Sequence, residues 1–299
     1  MRALTSLLLV VALAGCGDDA SPQDACVSWV ETSCNKIQSC SDMFMAVTYG
    51  SVARCIERLQ TVCAPILAAP GTKLTAGDFE SCASSTSAQS CEDLFAGLQP
   101  AGCRISGSLD DGKACASDVQ CVNAYCKKTG GASCGVCSKR VAAGETCDDD
   151  EDCDGALACR QQVCVAYVAA GGTCDATHPC REPLICDNGA CAKPLGVGEA
   201  CEPTRQNCDG TQGLFCGLQS KVCEKAGLAG DGEACGLATG GAAFTLCKAS
   251  GHCSAATSGT CQAAAADGQS CDTGKGPYCL PPASCEGGVC KLEDPSACK

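Results

Sequence analysis

The chain has 299 residues, of which 35 are cysteine and only 48 are Leu, Val, Ile or Phe. So small an apolar share argues against folding by burial alone, whereas cysteine at about 12% is the level of a disulfide scaffold. A net charge of −13 disfavours nucleic acid and anionic lipid headgroups as partners, and aromatics at 3% leave little stacking surface for sugars or bases.

The chain opens MRALTSLLLVVALAGC, with Arg2, an apolar run from Leu7 to Leu13 and small residues before Cys16. This is the layout of an export signal, and the apolar run is too short to span a bilayer. Leu13-Ala14-Gly15-Cys16 resembles a bacterial lipobox. The resemblance implies removal of residues 1–15, lipid on the sulfur and amine of Cys16, and anchoring to a bacterial membrane, at the outer membrane or cell surface. Setting Cys16 aside leaves 34 cysteines, an even number that can pair completely in an oxidising compartment. Residues 16–24 then read as the lipidated cysteine and a polar tether.

Residues 25–103 carry a helical period. Cys26, Trp29, Val30, Cys34 and Ile37 recur at three- and four-residue steps, as do Val52, Cys55, Ile56, Leu59, Val62, Cys63 and Ile66, predicting two amphipathic helices with Trp29 in their core. Thr75 with Asp78 and Ser90 with Asp93 have capping-box spacing, predicting two shorter helices. Cys26/Cys34 and Cys55/Cys63 each span ~12 Å of helix rise, so an antiparallel hairpin matches Cys26 with Cys63 and Cys34 with Cys55, with Cys40 a competitor for either partner. That arrangement resembles the twin-cysteine coiled-coil-helix proteins, which use a longer spacing.

Beyond Cys103 the helical period gives way to a repeat. A glycine stands three residues before the cysteine that opens each unit, at Cys115, Cys147, Cys174, Cys201, Cys235 and Cys271. The pattern is clearest at Cys147, Cys153, Cys159, Cys164 and again at Cys174, Cys180, Cys186, Cys191. The expected fold is therefore small disulfide-rich modules of short β-hairpins and loops in tandem, preceded by a small disulfide-stapled α-helical domain. The first module occupies 104–146 and five more fill 147–299. Units this small need covalent staples, and two disulfides each supply the required scale, although four cysteines allow three pairings. The turn signals are Asp-Asn-Gly before Cys191, Glu-Gly-Gly before Cys290, and Asp-Gly at 111, 231 and 267.

Cys115-x5-Cys121-x4-Cys126-x7-Cys134-x2-Cys137-x9-Cys147-x5-Cys153-x5-Cys159-x4-Cys164 resembles the N-terminal cysteine-rich domain of Dickkopf proteins, secreted antagonists of a signalling co-receptor in animals. That family has ten cysteines with an adjacent pair, whereas this stretch has nine and no doublet. One partner therefore lies outside it, with Cys103 and Cys298 as candidates. The resemblance implies a scaffold and no particular receptor. The overall layout is also similar to surface lipoproteins of large-genome soil and predatory bacteria.

Several motifs imitate chemistry. Asp150, Asp152, Asp154 and Gly155 fall on the first positions of an EF-hand loop, a weak calcium candidate, since Gln161 stands where the bidentate Glu belongs. Cys134-Gly-Val-Cys137 has redox or zinc spacing without a βαβ context or a second ligand pair, and reads as structural. Gly107 to Ala114 imitates a phosphate loop, but Asp110 and Asp111 repel phosphate. His178 and His252 are the two histidines, both expected on exposed loops. No catalytic residue, metal or cofactor is expected. The function expected is noncovalent, either binding and adhesion to another protein or cell-surface component, or spacing along an extended stalk. The alternative is an extracellular protease inhibitor presented on disulfide-fixed loops.

Overall fold

The computed structural model describes residues 20–129, 132–155, 157–205, 207–238 and 243–298. Side-chain caps set where five of the six α-helices begin. Ser21, with Pro22 in the first turn, opens α1 (Pro22–Cys40), and its hydroxyl accepts from the Asp24 N–H at 3.2 Å. The tether expected over 16–24 therefore gives way to helix at Pro22. Ser41 both ends α1 and opens α2 (Asp42–Thr48), a seven-residue helix too short for its period to show in the sequence. Ser51 caps α3 (Val52–Leu59), Thr75 and Asp78 form a reciprocal capping box on α5 (Ala76–Ala88), and Ser90 caps α6 (Cys91–Phe95).

The single helix expected from Val52 to Ile66 is broken. A 3₁₀ turn at Gln60–Val62 separates α3 from α4 (Cys63–Ala68). Pro65 gives the reason, because it has no N–H for the carbonyl of Thr61 and its ring would crowd that carbonyl in a continuous helix. Cys63 keeps its place, and the ladder forms as Cys26–Cys63 and Cys34–Cys55. Cys40–Cys91 and Cys82–Cys103 complete the staples of the helical hub. All four ladder sulfurs are buried with Val30, Met45, Tyr49 and Phe79, and Trp29 packs against Phe79 with ring centroids 6.1 Å apart.

Each of the six modules carries a hairpin with a loop folded across it; the first adds a third strand and the fifth builds a five-stranded sheet. The third and fourth cysteines sit directly opposite each other on the paired strands, as at Cys159 and Cys164 or Cys186 and Cys191. The same holds at Cys126/Cys137, once Cys134, which pairs outside its module, is set aside from the count, and at Cys216/Cys223, Cys253/Cys261 and Cys285/Cys290. Their sulfurs reach the preceding loop rather than each other. First pairs with third and second with fourth every time, as in Cys147–Cys159 with Cys153–Cys164, and Cys174–Cys186 with Cys180–Cys191. The module core is thus largely sulfur.

Two further positions repeat. The glycine three before the first cysteine has a left-handed backbone in all six modules, with φ between +79° and +86°. Its N–H donates to the carbonyl of the last cysteine at 2.7–2.8 Å, closing the module end to end. Three residues earlier stands an apolar residue, Leu109, Val141, Val168, Leu195, Ala229 or Ala265, which pairs in parallel with the second cysteine and packs on the sulfur cluster. Val141 and Gly144 therefore belong to the second module, which begins before the boundary expected at 147. The tail returns to the first module, where Cys298 pairs with Cys134. Cys103, the other candidate partner, is bound to Cys82.

The modules fold back on the hub instead of running out as a stalk. Gln120 Nε2 in the first donates to the Pro70 carbonyl at 2.8 Å, and Arg181 in the third pairs with Asp93. Gln212 in the fourth donates to the Cys40 carbonyl at 3.0 Å, and Ala249 in the fifth donates to Ala46 at 3.0 Å. For the sixth, Arg58 of α3 forms a bidentate pair with Asp267 at 2.8 and 2.7 Å and donates to the carbonyls of Leu280 and Pro281. No helix among the described residues is long and apolar enough to cross a membrane.

Candidate functional site

Cys16 lies outside the described residues. Among the carboxylates of the weak calcium candidate, Asp150 and Asp152 are engaged by protein donors. Asp152 is buried and accepts from the Tyr125 hydroxyl at 2.5 Å, the Asp148 N–H at 2.7 Å and Lys127 Nζ at 2.9 Å. Asp150 accepts from the Cys159 N–H at 2.7 Å and from Arg160 at 2.9 Å, while Asp154 is exposed. Two of the three candidate ligands thus already accept from protein donors.

The Cys134/Cys137 spacing is split between two bonds, Cys134–Cys298 and Cys121–Cys137, so it forms no dithiol. In the modules three sulfurs lie within 4.8 Å of one another, but each belongs to a disulfide and offers no thiolate. The phosphate-loop imitation is the turn that opens the first module, with Leu109 paired to Cys121.

The histidines differ. His178 is exposed, as expected, in a tight loop where its Nδ1 is 2.9 Å from Thr177 Oγ1 and 3.0 Å from Asp175. Hydroxyl and acid therefore share one ring nitrogen, whereas a base relay needs them on opposite ones. Hydrogen bonds, first of all from the Thr177 hydroxyl, hold the Asp175 carboxyl well below its usual range. His252 is not on an exposed loop. It is buried in a strand, with its ring tilted against Tyr278 of the next module at a centroid distance of 5.5 Å, and its Nδ1 has no hydrogen-bond partner among the described residues. Gly276 must be glycine there, since a Cβ would stand 2.5 Å from the imidazole and φ is +71°.

The feature that sequence reasoning missed is a cleft of about 390 Å³ between the α6 turn and the second module, at the lower end of the ~300–1,000 Å³ usual for ligand pockets. Phe95, Leu98, Leu157 and Tyr167 give it an apolar wall. Glu151, Asp154, Glu182 and Arg104 bring charge. Arg140, also in the lining, is already consumed, donating to the Asp118 carboxylate and to the backbone carbonyls of Ala124 and Glu151 and lying 4.5 Å over the Tyr125 ring. Burial, and then the field of Asp150, pushes the Tyr167 phenol above its ordinary pKa, so it stays neutral. Only the acid run at 148–154 advertised this place in the sequence; half of the apolar wall, Phe95 and Leu98, comes from far upstream along the chain. A second hollow between the fourth and fifth modules is apolar, with Phe215 and Phe244 5.7 Å apart.

Fold and cleft define a disulfide-stapled tandem-module protein built on a helical hub. In comparisons with known proteins, no family model, no curated protein and no solved structure matches this chain.

Proposed function

We propose that the protein is a membrane-anchored lipoprotein of the bacterial envelope, facing the periplasm or the cell surface, that acts by noncovalent binding rather than catalysis. The observation that carries this reading is the frame. All 34 cysteines from Cys26 onward are consumed in disulfides. Loops so fixed lose little conformational entropy when a partner docks. The lipobox-like Leu13–Cys16 supports the anchor, and the Dickkopf-like spacing supports a scaffold specialised for protein contact. The folding back of modules on the hub favours a contact surface over a spacer.

Intact mass without reduction, on protein exported by a bacterial host, is expected to show no free thiol and a lipid on Cys16. Cys16→Ala is expected to move the chain from the membrane to the soluble fraction. Photo-crosslinking on living cells is expected to capture a discrete envelope protein, with a yield that falls in the released variant. A soluble wild-type chain, mostly free thiols, or no crosslinked partner overturns the reading.

A further inference from the structure

The cleft between α6 and the second module has unbalanced charge. Asp150 is neutralised by Arg160 and Arg140 by Asp118. The side chains of Glu151, Asp154 and Glu182 make no hydrogen bond or ion pair among the described residues, and of the cations only Arg104 is equally unengaged. Three free carboxylates against one guanidinium leave an excess of two negative charges beside a wall of Phe95, Leu98, Leu157 and Tyr167.

We propose that this cleft seats a lysine or arginine side chain presented by an extended segment of a partner protein. The proposal rests on the binding reading above and names the chemistry of the partner. A basic side chain fits both halves of the site at once. Its methylene stem lies along the apolar wall while its head reaches the carboxylates, and the aromatic rings of Phe95 and Tyr167 favour a cation over their faces. An anion meets the excess negative charge. A small inorganic cation gains nothing from the wall and is screened by salt at so open a rim. The walls come from two elements that disulfides hold in place, α6 by Cys40–Cys91 and the second module by its own pair, so little ordering is needed on docking.

The test is calorimetric titration of the oxidised full chain, in detergent, with capped tetralysine, tetra-alanine and tetraglutamate peptides. Tetralysine alone is expected to bind, at one site and more weakly as salt rises. Asp154→Asn with Glu182→Gln is expected to weaken binding about tenfold at low salt, since both side chains are exposed and unpaired and their loss leaves the fold intact. Tyr167→Ala is expected to weaken it by a factor that salt does not change. Because a chain of charge −13 attracts any polycation, the control is Glu31→Gln with Glu286→Gln, an equal charge change outside the lining, expected to leave the affinity within a factor of two. Absence of saturable tetralysine binding, or equal loss in the control, overturns the assignment. If that happens while living-cell crosslinking still captures an envelope protein, the cleft assignment falls and the binding reading stands; if both fail, both fall.

Discussion

Asp152 lies at the seam of the first two modules, and its surroundings act in opposite directions. Burial alone would raise its pKa, but hydrogen bonds from Tyr125, the Asp148 N–H and Lys127 outweigh burial and hold the carboxyl below its ordinary range. A carboxylate lowered in the folded state contributes stability that is present above the unfolded pKa of about 4 and is lost as pH falls through the folded value. Amide-exchange protection across the seam is therefore expected to drop in acid below about pH 4, and Asp152→Asn is expected to abolish that step. Tyr125→Phe removes a donor from the buried carboxylate and is expected to cost ~1–3 kcal/mol in denaturant unfolding with disulfides intact. Backbone strain supplies a second residue-scale outcome. The hairpin turn of the second module puts Gln161 and Gln162 at φ +52° and +62°, where the third module has Asn188-Gly189. Both are left-handed positions of a two-residue hairpin turn, which suit Asn and Gly. Gln161→Asn with Gln162→Gly is expected to stabilise the protein by about 1 kcal/mol in the same measurement.

A module is the smallest element that makes sense of its own residues. Its opening glycine has φ > 0 and gives its N–H to the last cysteine; at Gly171 φ is +79° and an added Cβ would meet nothing within 4 Å. Gly171→Ala therefore tests backbone conformation without steric clash, and is expected to cost ~1–2 kcal/mol in the third module, seen as faster exchange of the Cys191 amide. The glycine and cysteine positions were legible in the sequence because each residue type has a restricted use. The apolar position six before the first cysteine was not, because it varies among Leu, Val and Ala in an alanine-rich chain. Pairing was not legible either: spacing permits three connectivities, and only the hairpin, which sets the third and fourth cysteines side by side under a loop, selects one. In the hub the seven-residue spacing of cysteines carried the ladder, while Pro65 held a readable signal of the helix break that apolar periodicity concealed.

At the scale of the whole molecule, contacts far apart in sequence decide the shape, and no local pattern announces them. Arg58 meets Asp267 across 209 positions, and buried His252 packs against Tyr278 and Gly276, which arrive from the next module. Besides its packing on the fifth module through Tyr278, the sixth module is held at two further points, by Arg58 on one side and through the tail by Cys134–Cys298 on the other, a bond across 164 positions. For a loop that long, a chain-entropy treatment gives ~5 kcal/mol if nothing else closes it. Here the hub already closes it, since the first module is anchored at Pro70 and the sixth at Arg58, so most of that stabilisation is duplicated. Redundant restraints predict a non-additive response. Cys134→Ser with Cys298→Ser is expected to free the tail amides at 292–298 while leaving the radius of gyration from X-ray scattering unchanged. Arg58→Leu alone is expected to leave it unchanged as well, because the tail still tethers the module. Combining all three substitutions releases both restraints, and the radius is expected to rise while the two internal disulfides keep the hairpin of the sixth module protected from exchange. Additive changes in the separate variants, or none in the combination, would show that the modules are not held to the hub by these contacts.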